Sequence, residues 1–407
     1  MLREQAVPIQ MSGKGLKIIF LVEYVHEQGT YFRWHNLAIG LQAAGHQVIV
    51  FGVDWDKHST DRTELRDGVE YRILSTFRGL NVFTPSTNPL NFLRRFLLTY
   101  PHCDIVHTFQ PFPFSAYLGW YLKSTGKANY FFYDWDDLWT KGYYDKKPIK
   151  GLSDKITFLL VRHTERRFPS CAGFVTVCSN YLRELAETAG AHFVSVIHNG
   201  FWPFEPIDQK RARTQLGLQP NAVYAGFMGR TTGELSWCIA AIQALHRQAP
   251  DHDFRLALCG MMPDFLDELS DDAKSQIDYL GNLSPLDCRL FAAAIDFGLL
   301  PLEDNAFNQS RFPIKFAEYQ ASGTPVIFSE VGECNKLGKQ FNWTIPAGTT
   351  SQQFIDCFVH TLSDAVASQK RPVVNQEQLA YQLSWTMLAQ DLASDYLQVE
   401  KNTFQGK

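Results

Sequence analysis

Short apolar runs of strand length alternate with helix-length amphipathic segments along this chain, and the alternation occurs as two separate series. The first series of strands reads Lys17–Val22, Gln47–Phe51, Asp104–Phe109, Asn129–Tyr133, Gly173–Val177 and Phe193–Ile197. Helices are expected between them at about 31–44, 113–125, 153–168 and 179–189. The second series reads Ala222–Met228, Phe254–Leu258, Ile277–Leu280, Phe297–Leu300 and Pro325–Phe328. Strands that alternate with helices predict parallel sheets covered by helices, an α/β class. Between the series lies His198-Asn199-Gly200-Phe201-Trp202-Pro203-Phe204-Glu205-Pro206, whose glycine and prolines extend neither strand nor helix, so it reads as a hinge. A chain of 407 residues also exceeds what one core ordinarily serves. The expected division is a domain at 1–200, a linker at 201–221 and a domain at 222–375, with a helix at 376–407 packing back on the first. Ligands of open α/β sheets bind beyond the carboxyl ends of the strands, so two such domains facing each other would share a cleft.

Composition narrows the class. Hydrophobic residues make up 45%, charged residues 20%, and the formal net charge is -4, which suits a globular enzyme and disfavours a nucleic-acid binder. The eight cysteines (103, 171, 178, 238, 259, 288, 334 and 357) form no C-x-x-C pair and no Cys/His metal spacing. They read as reduced thiols, with neither a disulfide framework nor a structural metal. Residues 1–16 lack a signal-peptide core, and no segment approaches the roughly 20 apolar residues that span a bilayer. A cytoplasmic protein is expected.

The most chemically loaded run is Ser310-Arg311-Phe312-Pro313-Ile314-Lys315-Phe316-Ala317-Glu318, followed by Tyr319–Ser322, Gly323-Thr324-Pro325 and the strand at Val326. It reads as loop, short helix and buried strand, with Pro313 at the first helical position and Gly323 closing the helix. Lys315 and Glu318 are three apart and so share a helical face near the positive end of the helix dipole. Free backbone N–H groups just after Pro313, at Ile314 and Lys315, with the Lys315 ammonium and Arg311, would hold a diphosphate there, while Glu318 accepts from hydroxyls. A diphosphate beside hydroxyls describes a nucleotide-sugar. Earlier in the same expected sheet, Phe227-Met228-Gly229-Arg230 places a guanidinium at a strand end, where it would clamp the diphosphate bidentately.

In the first half, Glu23–Thr30 follows the first strand; Gly29 permits close approach of a ligand, or merely makes a turn. No G-x-G-x-x-G is present, which disfavours a dinucleotide-binding dehydrogenase. Asp104-Ile105-Val106-His107 would leave His107 at the mouth of the cleft. Asp134, Asp136 and Asp137 crowd the end of the next strand, where like charges raise one another's pKa. They read either as caps or as a site that binds an acceptor hydroxyl and acts as base. Residues 141–167 hold Lys141, Lys146, Lys147, Lys150, Lys155, Arg162, Arg166 and Arg167 against Asp145, Asp154 and Glu165, interleaved with Ile156 and Phe158–Val161. Such a segment is either a solvated helix face or a peripheral contact with an anionic membrane.

Taken together, these residues resemble the GT-B glycosyltransferases, specifically the retaining group called glycosyl transferases group 1 (family 4). Gln28–Ala38 with Ala44-Gly45-His46-Gln47-Val48 is similar to that group's opening glycine loop, first helix and second strand. Asp104–His107, Val175-Thr176-Val177-Cys178-Ser179, Ile197-His198-Asn199-Gly200, Phe227–Arg230 and Pro313–Val326 resemble its further motifs, in the same order. The resemblance implies two Rossmann-like domains. The second would bind a nucleotide-sugar, for example a UDP-sugar, and the first a glycan, lipid-linked or small-molecule acceptor. It further implies transfer with retention and no metal or other cofactor. Glu318 matches the glutamate that holds the donor ribose, and Arg230 the arginine that contacts the diphosphate. Ser310 stands where many members carry a second glutamate, Arg311 where they carry glycine, and Leu235 where they carry a lysine. Lys315 is expected to take over that lysine's charge.

The chemistry expected is loss of a nucleoside diphosphate from the anomeric carbon, with Arg230, Lys315 and His107 as catalytic residues and domain closure excluding water. A nucleotide-sugar 2-epimerase, or a catalytically degenerate nucleotide-sugar-binding subunit, are the competing expectations.

Overall fold

A computed structural model describes residues 15–27, 29–54, 60–76, 88–143, 151–229, 233–261 and 268–405. The chain divides into two compact units, one running to Asn199 and resuming at Trp385, the other Gly200–Ser384.

The first unit is built on an eight-stranded sheet, in the order β3-β4-β2-β1-β5-β6-β7-β8. Its strands are β1 (Lys17–Tyr24), β2 (Gln47–Val53), β3 (Arg62–Arg66), β4 (Val69–Leu74), β5 (Cys103–Phe109), β6 (Ala128–Trp135), β7 (Phe174–Val177) and β8 (Val194–Val196). Every pairing is parallel except β3 with β4. That antiparallel hairpin turns through Asp67 and Gly68, both at positive φ (50° and 85°), as a two-residue Asp-Gly turn requires. It was not expected. Its strand β3, Arg-Thr-Glu-Leu-Arg, is an edge strand that alternates exposed and half-exposed residues and so lacks the apolar run that marks the others.

The helices are α1 (Tyr31–Ala43), α2 (Pro89–Leu97), α3 (Pro113–Ser124), α4 (Leu152–Cys171) and α5 (Asn180–Thr188), joined by the C-terminal α15 (Trp385–Gln405). Right-handed crossovers put α1 on one face of the sheet and α2, α3 and α4 on the other. α15 lies against α1 so closely that a Cβ on Gly40 would sit 2.4 Å from the Ala389 Cβ. Glycine and alanine at the crossing set that approach.

The second unit carries a six-stranded parallel sheet in the order β11-β10-β9-β12-β13-β14. Its elements run α6 (Gln209–Leu216), β9 (Val223–Met228), α7 (Leu235–Gln248), β10 (Phe254–Cys259), α8 (Asp271–Ser275), β11 (Ile277–Tyr279), α9 (Pro285–Ala294), β12 (Phe297–Leu300), α10 (Ala306–Ser310), α11 (Ile314–Ala321), β13 (Val326–Phe328), α12 (Gly332–Gly338), β14 (Ile345–Pro346), α13 (Ser351–Ser368) and α14 (Gln376–Leu383). Tyr319 locks α11 to the sheet: its ring covers Gly298 of β12, where a Cβ would lie 2.5 Å from the ring, and its hydroxyl accepts the Met228 N–H at 2.8 Å. That one side chain fixes where the start of α11 stands relative to the end of β9.

Two expected boundaries differ. The supposed linker 201–221 contains α6, which packs on α9 and is pinned by an Arg213–Asp296 ion pair of 2.7 Å. The expected C-terminal helix breaks at Ser384. α14 stays with the second unit, where Gln376 donates to the Ala321 carbonyl at 2.7 Å, and only α15 joins the first.

Candidate functional site

In the second unit, the carboxyl end of β9 turns at Gly229, whose φ of 112° is open to glycine and strained for other residues. Its N–H donates to the Cys259 carbonyl at 2.9 Å, and Gly260, also at 112°, passes so near that a Cβ there would lie 2.1 Å from the Gly229 oxygen. Two glycines thus let the ends of β9 and β10 turn side by side. Into this corner comes Lys315, from the first turn of α11. Its Nζ lies 4.0 Å from the centroid of the Phe227 ring, and a Cβ on Gly229 would meet its Cε and Nζ at 3.2 Å.

Lys315 makes no ion pair among the described residues. Burial, with the Arg311 guanidinium close by, pulls its ammonium down to about 7, against the opposing charges of Glu318 and Glu234. Arg311 lies over the Phe307 ring at 4.8 Å, and its buried Nε has no hydrogen-bond partner among the described residues. Glu318 stands one turn along α11, with Lys315 and Arg289 as its cationic neighbours. Desolvation among its packed neighbours pushes the carboxyl up to about 7, against the opposing pull of those two cations. Two cations short of counter-ions beside one open carboxylate form a corner suited to an anion that also carries hydroxyls.

The remaining donor-side expectations separate. Pro313 caps α11 in extended conformation (φ −65°, ψ 126°) instead of opening it, so the helix begins at Ile314 and leaves the N–H groups of Ile314 and Lys315 without intrahelical partners. Phe312 does not face a ligand: it is 1% exposed and packs edge-on to Phe316 at 5.5 Å. Arg230 lies outside the described residues. Ser310 is buried and donates to the Phe307 carbonyl at 2.8 Å. Leu235 is fully buried in the apolar core, so that position presents no charge. Glu234, just before it, went unnoticed in the sequence; it is nearly buried, accepts the Glu303 N–H at 3.3 Å and adds negative charge near Lys315. Its signal was weak, one carboxylate beyond a glycine-rich turn.

The first unit corrects two expectations. His107 is not at a site mouth. It is fully buried, stacked on Phe109 at 4.5 Å, with Nδ1 bonded to the Tyr396 hydroxyl at 2.6 Å and Nε2 to the Thr176 hydroxyl at 3.1 Å. Burial pulls its pKa down to about 3, so the ring stays neutral at pH 7. α15 covers the strand end that the sequence left open. Asp134 is likewise fully buried. Its oxygens accept from Arg33 Nε at 2.9 Å, Arg33 Nη2 at 2.8 Å and the Thr176 hydroxyl at 2.6 Å, leaving nothing for an acceptor. Arg33 continues to the Ile197 carbonyl at 2.7 Å, tying β6 to the chain that leaves β8.

Gly29 is exposed with φ 59°, and Asp137 is half-exposed. Asp136 is nearly buried, with Oδ1 unpartnered among the described residues; burial first, then the carboxylates of Asp137 and Asp134, push its pKa well up. Gln110, absent from the sequence-based candidates, holds the rare φ of 67° at the end of β5 and donates its side-chain amide to the Thr30 hydroxyl. The carboxyl ends of β1, β5 and β6 therefore gather Thr30, Gln110 and Asp136.

Family profiles match both units. Residues 29–201 match Glycosyltransferase Family 4 and residues 219–364 match Glycosyl transferases group 1. A Bacillus subtilis protein described as the teichuronic acid biosynthesis glycosyltransferase TuaH is 26% identical over 268 residues, and the match spans 62% of each chain. Among solved structures, sucrose-phosphate synthase from Thermosynechococcus elongatus superposes with a TM-score of 0.71 at 16% identity, covering 95% of this chain and 100% of that one. Anabaena HepE in complex with UDP-glucose superposes at 0.65 and 15%, covering 93% and 99%. With two parallel-sheet units, profiles matched in order along the chain and a shared fold, this protein belongs to the GT-B glycosyltransferases of the group 1, family 4 class.

Proposed function

We propose that the protein transfers a sugar from a nucleoside-diphosphate donor to an acceptor hydroxyl, with retention of configuration at the anomeric carbon. The observation that carries this reading is Lys315: an ammonium with no carboxylate bonded to it among the described residues, at the carboxyl end of β9, in a chain of this family. The bond from the anomeric carbon to the β-phosphate oxygen breaks, and its electron pair stays on the leaving diphosphate. The acceptor oxygen takes the bond to the anomeric carbon and passes its proton to the departing diphosphate oxygen. Negative charge builds on the departing oxygen, so preorganised cations there lower the barrier most. Lys315, Arg311, Arg230 and the first N–H groups of α11 are the proposed donors of that stabilisation, and Glu318 the group that holds the ribose hydroxyls. In this reading the chain's own cations supply the counter-charge, and turnover survives a chelator.

Asp136, with its unpartnered oxygen beside Thr30 and Gln110, is the proposed acceptor-side group. A UDP-sugar is the first donor to test, since HepE has been crystallised with UDP-glucose. A growing polysaccharide is the first acceptor class to test, since TuaH is assigned to teichuronic acid synthesis. The experiment incubates the protein with UDP-sugars and glycan acceptors, follows UDP release, and reads the product's anomeric configuration by NMR. Acceptor-dependent UDP release with a retained anomer is expected. An inverted product contradicts retention, and epimerised donor without transfer replaces the reading with a 2-epimerase.

A further inference from the structure

α2, α3 and α4 lie side by side on one face of the first sheet, with Phe92 and Phe96 of α2 against Tyr117 and Tyr121 of α3, and Tyr117 stacked on His163 of α4. Their outer surfaces have an unusual composition. α2 exposes Leu90, Leu93 and Leu97, spaced three and four apart on one face, with Leu97 77% exposed. α3 exposes Trp120. α4 carries an outward stripe of Leu152, Lys155, Leu159, Arg162 and Arg166, again at helical spacing, with Leu152 72% exposed. Leu159, Arg162, His163, Arg166 and Arg167 together line a shallow cavity of about 270 Å³.

The charges on this face are one-sided. Lys155, Arg162, Arg166 and Arg167 are exposed and make no ion pair among the described residues. The three helices contain only two carboxylates, Asp154 and Glu165, and Glu165 is turned inward to accept the N–H groups of Trp139 and Thr140. This cationic face belongs to a chain whose net charge is -4.

We propose that this face seats the protein on an anionic phospholipid surface. The arginines take lipid phosphates, and the leucines with Trp120 enter the boundary between headgroups and acyl chains. Exposed leucines beside unpaired cations match that boundary, which is apolar on one side and negatively charged on the other. A second copy of the chain fits less well, because a two-fold contact through this patch would set unpaired cations against the same cations.

The test is flotation of the full-length protein with vesicles of phosphatidylcholine alone and of phosphatidylcholine mixed with phosphatidylglycerol. Binding to the anionic vesicles, weakened by salt, is expected. Replacing Arg162→Gln with Arg166→Gln lowers it by roughly fivefold per charge, about 25-fold together, while Arg166→Lys preserves it. Leu93→Ser with Leu97→Ser lowers it at least about tenfold while the cooperative melt is retained, since both side chains are more than half exposed. Equal binding to both vesicle types, binding to neither, or variants that float like the wild type overturns the proposal. So does a dimer in light scattering that the leucine variant dissolves.

Discussion

The Lys315 ammonium rests 4.0 Å from the centre of the Phe227 ring, next to the glycine that ends the same strand. An aromatic face is worth about 0.5–2 kcal/mol to a cation, and it leaves the positive charge uncancelled. A carboxylate in that place would hold the lysine more firmly and neutralise it. β9 thus supplies a cradle for the cation and leaves its charge for a ligand.

Nucleotide binding should depend on pH through this group. Burial holds Lys315 at about 7 in the free protein, and an adjacent diphosphate raises that value. Affinity is therefore greatest below pH 7 as far as this group is concerned, and falls as pH rises from about 7 toward the bound-state value. Calorimetry near pH 8 in buffers of differing ionisation enthalpy should record proton uptake on binding. Lys315→Met should abolish that uptake.

Gly229→Ala should injure the site twice. The φ of 112° strains any other residue by about 1–3 kcal/mol, and the new methyl meets Lys315 at 3.2 Å. A lower melting temperature together with weaker nucleotide binding is expected. Gly281→Ala is the control: its φ is 71°, and a Cβ there meets nothing within 4 Å. It should cost stability and leave binding unchanged.

Asp134→Asn should act on stability. Removing one partner of the buried Arg33–Asp134 pair leaves an uncompensated guanidinium, at about 3–5 kcal/mol. Chemical denaturation should show that loss, and the folded fraction should keep its acceptor KM. A large rise in KM at unchanged stability would return Asp134 to the acceptor side.

Tyr396→Phe removes the hydroxyl bonded to His107 Nδ1 and leaves a buried ring nitrogen unsatisfied, costing about 1–3 kcal/mol. The pH profile of turnover should not move. A shifted profile would mean that His107 takes part in proton transfer after all.

Both strand series, the division between the units at Asn199 and Gly200, and the Lys315–Glu318 helix were legible because they are written locally, as apolar runs, glycine breaks and three-residue spacing. The β3–β4 hairpin was not, since its alternating charged edge strand resembles a loop. α2 was missed because Pro-Leu-Asn-Phe-Leu-Arg-Arg-Phe-Leu turns leucines outward and buries Arg95, against the usual partition. The roles of His107 and Asp134 were illegible for a different reason. Their partners lie 289 residues away, at Tyr396, and 101 residues away, at Arg33. No local pattern announces a helix from the far end of the chain closing over a strand end. Phe312 sits among candidate ligand groups in sequence but points to the core, because neighbouring side chains on the approach to a helix face different ways.

The central claim is that Lys315 grips the diphosphate of an activated sugar, and calorimetric titration tests it most directly. UDP, or whichever nucleoside diphosphate most raises the melting temperature in a panel headed by it, is titrated into the wild type and into Lys315→Met. The account predicts binding weaker in the variant by about 1.5–3 kcal/mol, the worth of a charge-assisted contact, with the cooperative melt retained. Equal dissociation constants for the two proteins, or no nucleoside diphosphate bound by the wild type, would contradict it.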